Sequence, residues 1–131
     1  TIVDYKWSVS QSGSLQVTAP AFADIEIIKA IDRTSPRIAL LCTNATVFQS
    51  VIIKLLANPQ GSENDMCQAY YTIELVNAMI KNDSITVEHN GDGAYSHLEK
   101  VILNYEKIRW RCDYDGGYVQ YGWDIVQNKP W

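Results

Sequence analysis

The sequence has few of the residues that build metal and redox centres, with 3 cysteines and 2 histidines among 131 residues. Cys42, Cys67 and Cys112 are scattered and show no C-x-x-C spacing, so we expect reduced thiols that behave as small buried side chains. His89 and His97 have no third ligand at a metal-binding spacing, and we expect both in exposed loops. The pattern therefore predicts no metal and no cofactor.

The common catalytic signatures are also missing. The sequence contains no G-x-S-x-G, Walker or G-x-G-x-x-G pattern. Glu26, Glu74 and Glu88 could in principle act as acid and base, but each occupies a polar position of an alternating stretch, which is typical of a solvated strand face. We therefore expect no catalytic residue, and we expect that the protein is not an enzyme.

Long apolar runs and an excess of basic residues are absent too. No stretch approaches the ~20 apolar residues that a membrane-spanning helix needs. The first residues, TIVDYKWSVSQ, alternate between apolar and polar, whereas a signal peptide has a continuous apolar core. The net charge of −4 disfavours nucleic acid and anionic membranes as main partners.

The chain does have the alternation that is typical of β-strands. The first strand is predicted over residues 2–11, and its apolar face carries Val3, Tyr5, Trp7 and Val9. Its polar face carries Asp4, Lys6, Ser8 and Ser10. Further strands are predicted over 23–31, 46–57, 67–76 and 119–125, with turns at 81–83, 90–93 and 115–117.

One short helix is predicted at about residues 35–43, with Ser35 as N-cap and Pro36 at the first helical position. The length suits a single domain over residues 1–131. Closely spaced strands without a βαβ rhythm predict a mainly β fold. We expect a β-barrel of two packed antiparallel sheets with this one short flanking α-helix.

Twelve Trp and Tyr residues could form a stacking surface for a ligand. However, five of them fall on the apolar phase of predicted strands, which favours the core: Tyr5, Trp7, Tyr71, Tyr121 and Trp123. A monomeric ligand-binding β-barrel is therefore the less favoured interpretation.

Five segments, in the same order, resemble the Hcp family (haemolysin-coregulated proteins), the tube proteins of bacterial type VI secretion systems. They are WSVSQSGS at 7–14, IDRTSP at 31–36, YTIELVNA at 71–78, LNYEKIRW at 103–110, and DGG at 115–117 followed by YGWDIVQN at 121–128. Together they are spread over residues 7–128, which makes the resemblance specific. A phage-type tail-tube protein, which shares the general architecture, is the main alternative.

The resemblance implies hexameric rings that stack into a tube, which a contractile sheath expels from the cell. It also implies sheath and spike proteins as partners, and effector proteins carried in the lumen. A protein of this family is made in the bacterial cytoplasm and exported to the extracellular space or a target cell without a signal peptide. The family's N-terminal strand is apparently absent from this chain, since family members usually begin with a further strand and loop.

Three sets of residues are candidates for roles in such an assembly. The candidate lumen face consists of Asp4, Lys6, Ser8 and Ser10, with Lys6 as the hypothesised cargo contact. The candidate ring-stacking loop consists of Ser14, Leu15, Gln16, Val17 and Thr18. The candidate subunit interface consists of Val51, Ile52, Ile53, Leu55 and Leu56, from an apolar run that could bury one face in its own core and the other against a neighbour.

The stretch VILNYEKIRW, residues 101–110, changes its apolar phase. A regular half-buried strand keeps one phase, because a slip of one residue sends every side chain to the other face. We predict an irregular strand near Glu106 and Lys107, with a largely buried Trp110. The alternative is a regular strand whose second face meets a neighbouring subunit or the helix.

Overall fold

A computed structural model describes residues 2–13, 19–56, 67 and 70–131. Within this part the chain is mainly β, with antiparallel strands and one helix, as predicted. The strands are β1 (Ile2–Lys6), β2 (Val9–Ser10), β3 (Ala21–Phe22), β4 (Ile25–Ala30), β5 (Val47–Leu56), β6 (Tyr70–His89), β7 (Tyr95–Asn104), β8 (Lys107–Tyr114), β9 (Gly117–Asp124) and β10 (Lys129–Pro130). The helix α1 spans Ser35–Thr43, which confirms the predicted bounds.

The large sheet has the strand order β1-β4-β7-β6-β8-β9-β10, and β5 also pairs with β6. The small sheet pairs only β2 with β3. The chain divides into two compact units. Unit 1 comprises Thr1–Val47 and Met79–Asn104, and unit 2 comprises Phe48–Ala78 and Tyr105–Trp131.

Unit 1 has its core on one face of β4, β7 and the second half of β6. Ile25 pairs with Leu103 and Ile27 with Val101, and all four side chains are buried. Ile80, opposite Leu103 on β6, is buried beside them. Burying an aliphatic side chain of this size stabilises a fold by roughly 1.5–3 kcal/mol. The alternating apolar positions of these strands therefore supply the main stabilisation of unit 1.

Unit 2 has its core on β5, the first half of β6, and β8. Ile53, Ile73, Leu75 and Ile108 are buried, and Leu75 pairs directly with Ile108. Tyr105 is also buried. This core follows a strand alternation that starts at Tyr71, as the sequence indicates.

The irregularity predicted near Glu106 is confirmed. β7 ends at Asn104 and β8 begins at Lys107, and both run antiparallel to β6. On β6, Asn77 adopts a left-handed backbone with φ of 51°, and its side-chain amide donates to Glu106 Oε2 at 2.9 Å. Glu106 N–H also donates to the Val76 carbonyl at 3.1 Å. The phase change in the sequence thus marks a local break, although Trp110 is only partly buried rather than largely buried.

Two sequence predictions about strands are wrong. The strand predicted over 2–11 is two strands, because β1 pairs with β4 whereas β2 pairs with β3. The turn predicted at 81–83 does not form. Instead, β6 continues through these residues as one strand of 20 residues. It accommodates the polar Lys81, Asn82 and Asp83 by a register shift between Ile80 and Asn82.

The start of α1 differs in detail from the prediction. Thr34 holds the N-cap position and Pro36 lies in the first turn. Ser35 is buried, and its Oγ accepts a hydrogen bond from the Asp32 N–H at 3.0 Å. The hydroxyl that looks like an N-cap in the sequence therefore orders the preceding loop.

The prediction of three reduced cysteines is wrong, because Cys67 and Cys112 form a disulfide and only Cys42 is free. The two cysteines are 45 residues apart in the sequence, so their spacing does not indicate the pair. The pairing of β6 with β8 brings the two regions of the chain together. The prediction of five core aromatics is not confirmed, because Trp7, Tyr71 and Trp123 are only partly buried. Tyr5 is 52% exposed and Tyr121 is 72% exposed.

Candidate functional site

The predicted lumen residues lie on different elements rather than on one strand. Asp4 and Lys6 are exposed on β1, opposite Ile28 and Glu26 of β4. This face continues onto β7, where Lys100 Nζ lies 3.3 Å from Glu26 Oε1. This face of β1, β4 and β7 therefore carries both acidic and basic side chains at exposed or half-exposed positions.

Ser8 and Ser10 are exposed as well, but they belong to a different local structure. The carbonyl of Ser8 accepts from the Ala23 N–H at 3.0 Å, and Ser10 pairs with Ala21 of β3. The structure thus keeps Asp4 and Lys6 on one strand face and separates the two serines from it. The predicted stacking residues, Ser14, Leu15, Gln16, Val17 and Thr18, lie outside the described residues.

The predicted subunit interface lies on β5, which pairs with β6. Ile53 is buried, while Val51 and Leu55 are half-buried. Ile52 is 58% exposed, and Val47 at the start of the strand is 62% exposed. Leu56 ends the strand, and its side chain is outside the described part. The apolar run therefore has one face in the core and leaves Ile52 as its main exposed apolar side chain.

A buried ionic cluster lies in unit 1. Lys29 of β4 is opposite Glu99 of β7, and the two residues are 8% and 1% exposed. Lys29 Nζ donates to Glu99 Oε1 at 3.1 Å and to Asp32 Oδ1 at 3.0 Å. It also donates to Ser35 Oγ at 3.3 Å and to the Ala30 carbonyl at 3.0 Å. One lysine thus joins β4, β7 and the start of α1.

The charges of this cluster shift the pKa values of its members. Burial acts to lower the pKa of Lys29, but the hydrogen bonds and charges of Asp32 and Glu99 raise it overall. Hydrogen bonds from Thr34 and Lys29 hold the pKa of Asp32 well below its usual range. Burial, together with a hydrogen bond and the negative charge of Glu99, raises the pKa of Asp83 to about 6, although Lys29 opposes the shift.

The sequence carries a signal for this cluster that was missed. Lys29 follows Ile25 and Ile27 at the same strand phase, and Glu99 precedes Val101 and Leu103 at theirs. A charged residue in the apolar phase of a strand is either exposed at the strand end or buried with a partner. Each of the two positions is therefore a candidate for a buried charge, while the register that makes them partners comes from the pairing of β4 with β7.

A row of cations lies on the opposite strand phase of β8 in unit 2. Arg109 stacks on the Trp131 ring at 3.7 Å, and Arg111 stacks on the Tyr118 ring at 4.0 Å. Lys107 Nζ lies 5.4 Å from the centre of the Trp131 ring and 3.8 Å from Asp124 Oδ2. These cations are held by rings and carboxylates of the same chain, so this surface is a packed layer rather than an open basic site.

The distal part of the β6–β7 hairpin presents an exposed apolar face. Val87 pairs with His97, and His89 pairs with Tyr95. Ile85 is 64% exposed and Tyr95 is 63% exposed. Tyr95 makes an edge contact with His97, with ring centres 5.7 Å apart. The two histidines are exposed as predicted, but they lie on strands rather than in loops.

Neither a metal centre nor a spanning helix is found in the described ranges. Within them, no group of three or more His, Cys, Asp and Glu side chains could hold a metal ion. The helical part of the same ranges offers no segment long and apolar enough to cross a membrane.

Comparison with known proteins gives a consistent family. Residues 1–112 match the family described as Type VI secretion system effector, Hcp. Protein hcp1 of Pseudomonas aeruginosa is 30% identical over 115 residues, which is 80% of this chain and 65% of that protein. The chain therefore spans less than two thirds of the length of that relative.

Two solved structures have the same fold. Hcp1 from Salmonella typhimurium superposes with a TM-score of 0.75 at 16% identity, over 99% of this chain and 83% of that chain. A type VI secretion system effector from Yersinia pestis superposes with a TM-score of 0.69 at 15% identity, over 95% of this chain and 83% of that chain.

Proposed function

This chain belongs to the Hcp family of type VI secretion system effectors, and from this membership we propose that it is a structural subunit of the secretion tube. The match over residues 1–112 is the observation that carries the proposal. Six copies form a ring, and rings stack into a tube that the secretion system expels. The protein acts by assembly and holds effectors in the ring lumen, rather than by catalysis.

Self-assembly is supported by the apolar side chains that the strands leave exposed. Ile52 and Val47 of β5 are more than half exposed, as are Ile85 and Tyr95 of the β6–β7 hairpin. Of these, Ile85 and Tyr95 share one strand face with the exposed Val87, and an exposed apolar face of this kind is typical of a contact with another protein. A closed ring needs one such heterologous interface, and stacking needs a second. Ile52 is our candidate for the interface within the ring.

The lumen must be polar if water and folded cargo are to occupy it. Asp4 and Lys6, both exposed on β1, are the candidates that remain on one face. The sheath and spike of the secretion system are the proposed partners outside the ring. The proposed route is synthesis in the bacterial cytoplasm, followed by export to the extracellular space or a target cell.

Negative-stain imaging combined with mass measurement tests ring formation. We expect six-fold rings with about six times the chain mass of 14.8 kDa. The substitution Ile52→Glu should leave the chain folded and shift it towards the monomer. Val126→Glu, which is also strongly exposed but lies outside the predicted interface, serves as the matched control. A wild-type chain that stays monomeric at high concentration contradicts the proposal.

Cargo retention tests the lumen assignment. The substitution Lys6→Glu should leave rings intact and change the amount of effector that co-purifies with them. Lys129→Glu provides a control on β10, since Lys129 is also exposed and lies outside the predicted interface. If Lys6→Glu rings retain every tested effector as the wild type does, Lys6 does not face the cargo.

A further inference from the structure

The buried cluster of unit 1 contains two carboxyl groups that face each other. Asp83 of β6 pairs with Val101, and Glu99 lies two residues before Val101 on the same face of the sheet. This register places the two side chains diagonally across neighbouring strands, and the negative charge of Glu99 acts to raise the pKa of Asp83. Two carboxyl groups can share a hydrogen bond only when one of them carries a proton, because two carboxylates repel each other.

The cations around this pair are too few to neutralise both carboxylates. In the part of the chain that the structure describes, Lys29 is the one cation in contact with Glu99, and it is shared with Asp32 from the loop before α1. Ser35, at the start of α1, contributes only a hydroxyl group. Among the described residues, no hydrogen-bond donor reaches Asp83 Oδ1, which is buried. Unpaired buried oxygen atoms of this kind favour the neutral form of a carboxyl group.

We propose that Asp83 and Glu99 share one proton, and that this proton makes the junction of β4, β6, β7 and α1 a pH-sensitive lock. With the proton in place, Glu99 bonds both to Asp83 and to Lys29, and Lys29 holds Asp32 and Ser35. When the proton leaves, two carboxylates face each other with one shared lysine. The junction, including the first turn of α1, then opens more readily.

The position of the switch follows from the groups that surround Asp83. Burial, and then the hydrogen bond and charge of Glu99, raise the pKa of Asp83 to about 6, against the effect of Lys29. In an unfolded chain an aspartate titrates near 3.9. The folded protein therefore binds the proton more tightly between these two values, and its stability falls as the pH rises through that window. This single group should increase the unfolding equilibrium constant on the order of 10²-fold between pH 4 and pH 7.

Urea unfolding of the full chain at a series of pH values tests the lock. The substitution Asp83→Asn keeps the shape and removes the titrating group. We expect the ratio of unfolding constants, wild type over Asp83→Asn, to rise on the order of 10²-fold from pH 4 to pH 7. Glu88→Gln, a change of the same charge at an exposed position of β6, should show no such rise. A ratio for Asp83→Asn that does not change with pH overturns the proposal.

A second measurement avoids any variant that fails to fold. In the wild-type chain labelled with ¹³C, the carboxyl carbon of Asp83 should titrate with a midpoint near pH 6. A midpoint near pH 4 overturns the proposal. Hydrogen exchange, corrected for the intrinsic effect of pH, should show weaker protection of the Ile38 amide at pH 7.5 than at pH 5. This amide bonds to the Thr34 carbonyl in the first turn of α1.

The lock is independent of the proposed function. Its failure would leave ring formation untouched, and a monomeric chain could still contain the shared proton. The two proposals therefore have separate tests and separate outcomes.

Discussion

Trp131 lies directly against Gly122 in the centre of β9. The Trp131 N–H donates to the Gly122 carbonyl at 3.1 Å. A methyl group on Gly122 would lie 2.9 Å from Cε3 of the Trp131 ring and 3.0 Å from the Ile108 carbonyl oxygen. Trp131 thus packs where β9 has no side chain, and the absence of that side chain lets the ring reach Arg109.

The substitution Gly122→Ala should therefore displace Trp131. Overpacking of this kind costs about 1–3 kcal/mol, and loss of the Arg109 stacking adds about 0.5–1 kcal/mol. Urea unfolding followed by tryptophan fluorescence measures both the stability and the environment of the ring. Gly91→Ala is the control, because a methyl group there meets nothing within 4 Å. Equal stability of the two variants would contradict this account.

Asn77 holds the break between β7 and β8 in two separable ways. Its backbone φ of 51° costs an alanine roughly 1–2 kcal/mol, and its side chain adds the hydrogen bond to Glu106, worth about 0.5–1.5 kcal/mol. Asn77→Ala should lose both contributions, whereas Asn77→Gly should lose only the hydrogen bond. We expect Asn77→Gly to be the more stable variant in thermal unfolding. The reverse order would show that the left-handed backbone is not the costly feature.

The disulfide between Cys67 and Cys112 should stabilise the chain against unfolding. Closing a loop of 45 residues restricts the unfolded chain by about 4 kcal/mol in the chain-entropy model. A reducing agent should therefore lower the urea midpoint of the wild type. It should not affect a Cys67→Ala variant, and Cys42→Ser should respond like the wild type because Cys42 is free. A midpoint that is insensitive to reduction would show that the bond does not contribute.

Lys29 should be among the most sensitive positions of unit 1. The substitution Lys29→Met leaves Glu99 buried without its cation, which typically costs about 3–5 kcal/mol. Replacing both residues, as Lys29→Met with Glu99→Leu, should recover part of this loss because neither charge is then buried alone. A double-mutant cycle by urea unfolding measures the coupling. Additive losses would show that the 3.1 Å contact contributes nothing specific.

Asp24 should give a pH dependence of the opposite sign to that of Asp83. Burial acts to raise its pKa, but hydrogen bonds from Asn104 and Lys81 and the charge of Lys81 lower it overall. A carboxyl group whose pKa is lower in the folded chain stabilises the fold at pH values above its pKa in the unfolded chain. This stabilisation is lost as the pH falls through its pKa in the folded chain. Asp24→Asn should cost about 0.2–1 kcal/mol at pH 7 and progressively less below pH 4. Lys81→Met should lose most of the same stability, because it removes the other partner of the ion pair. If the loss of stability in Asp24→Asn does not change with pH, the ion pair is not its source.

Much of the fold could be predicted from local patterns. The alternation of Tyr71, Ile73 and Leu75 fixed the face that β6 buries in unit 2. The Asn90–Gly93 and Asp115–Gly117 turns formed where turn residues cluster. The helix formed over Ser35–Thr43, although its cap is Thr34. The phase change in VILNYEKIRW placed the break at residues 105–106 correctly, because a flip of the buried face requires a local irregularity.

The sequence by itself determined most of the strands, the helix, the break near Glu106 and the family to which the chain belongs. These depend on neighbouring residues and on the spacing of side chains along the chain. The tertiary structure alone decided that Cys67 meets Cys112, that Lys29 meets Glu99 and that Trp131 fills the space above Gly122. Each of these contacts joins residues that the chain separates by 9 to 70 positions. Such contacts arise from strand pairing, and the pattern around either partner does not contain the register that brings them together.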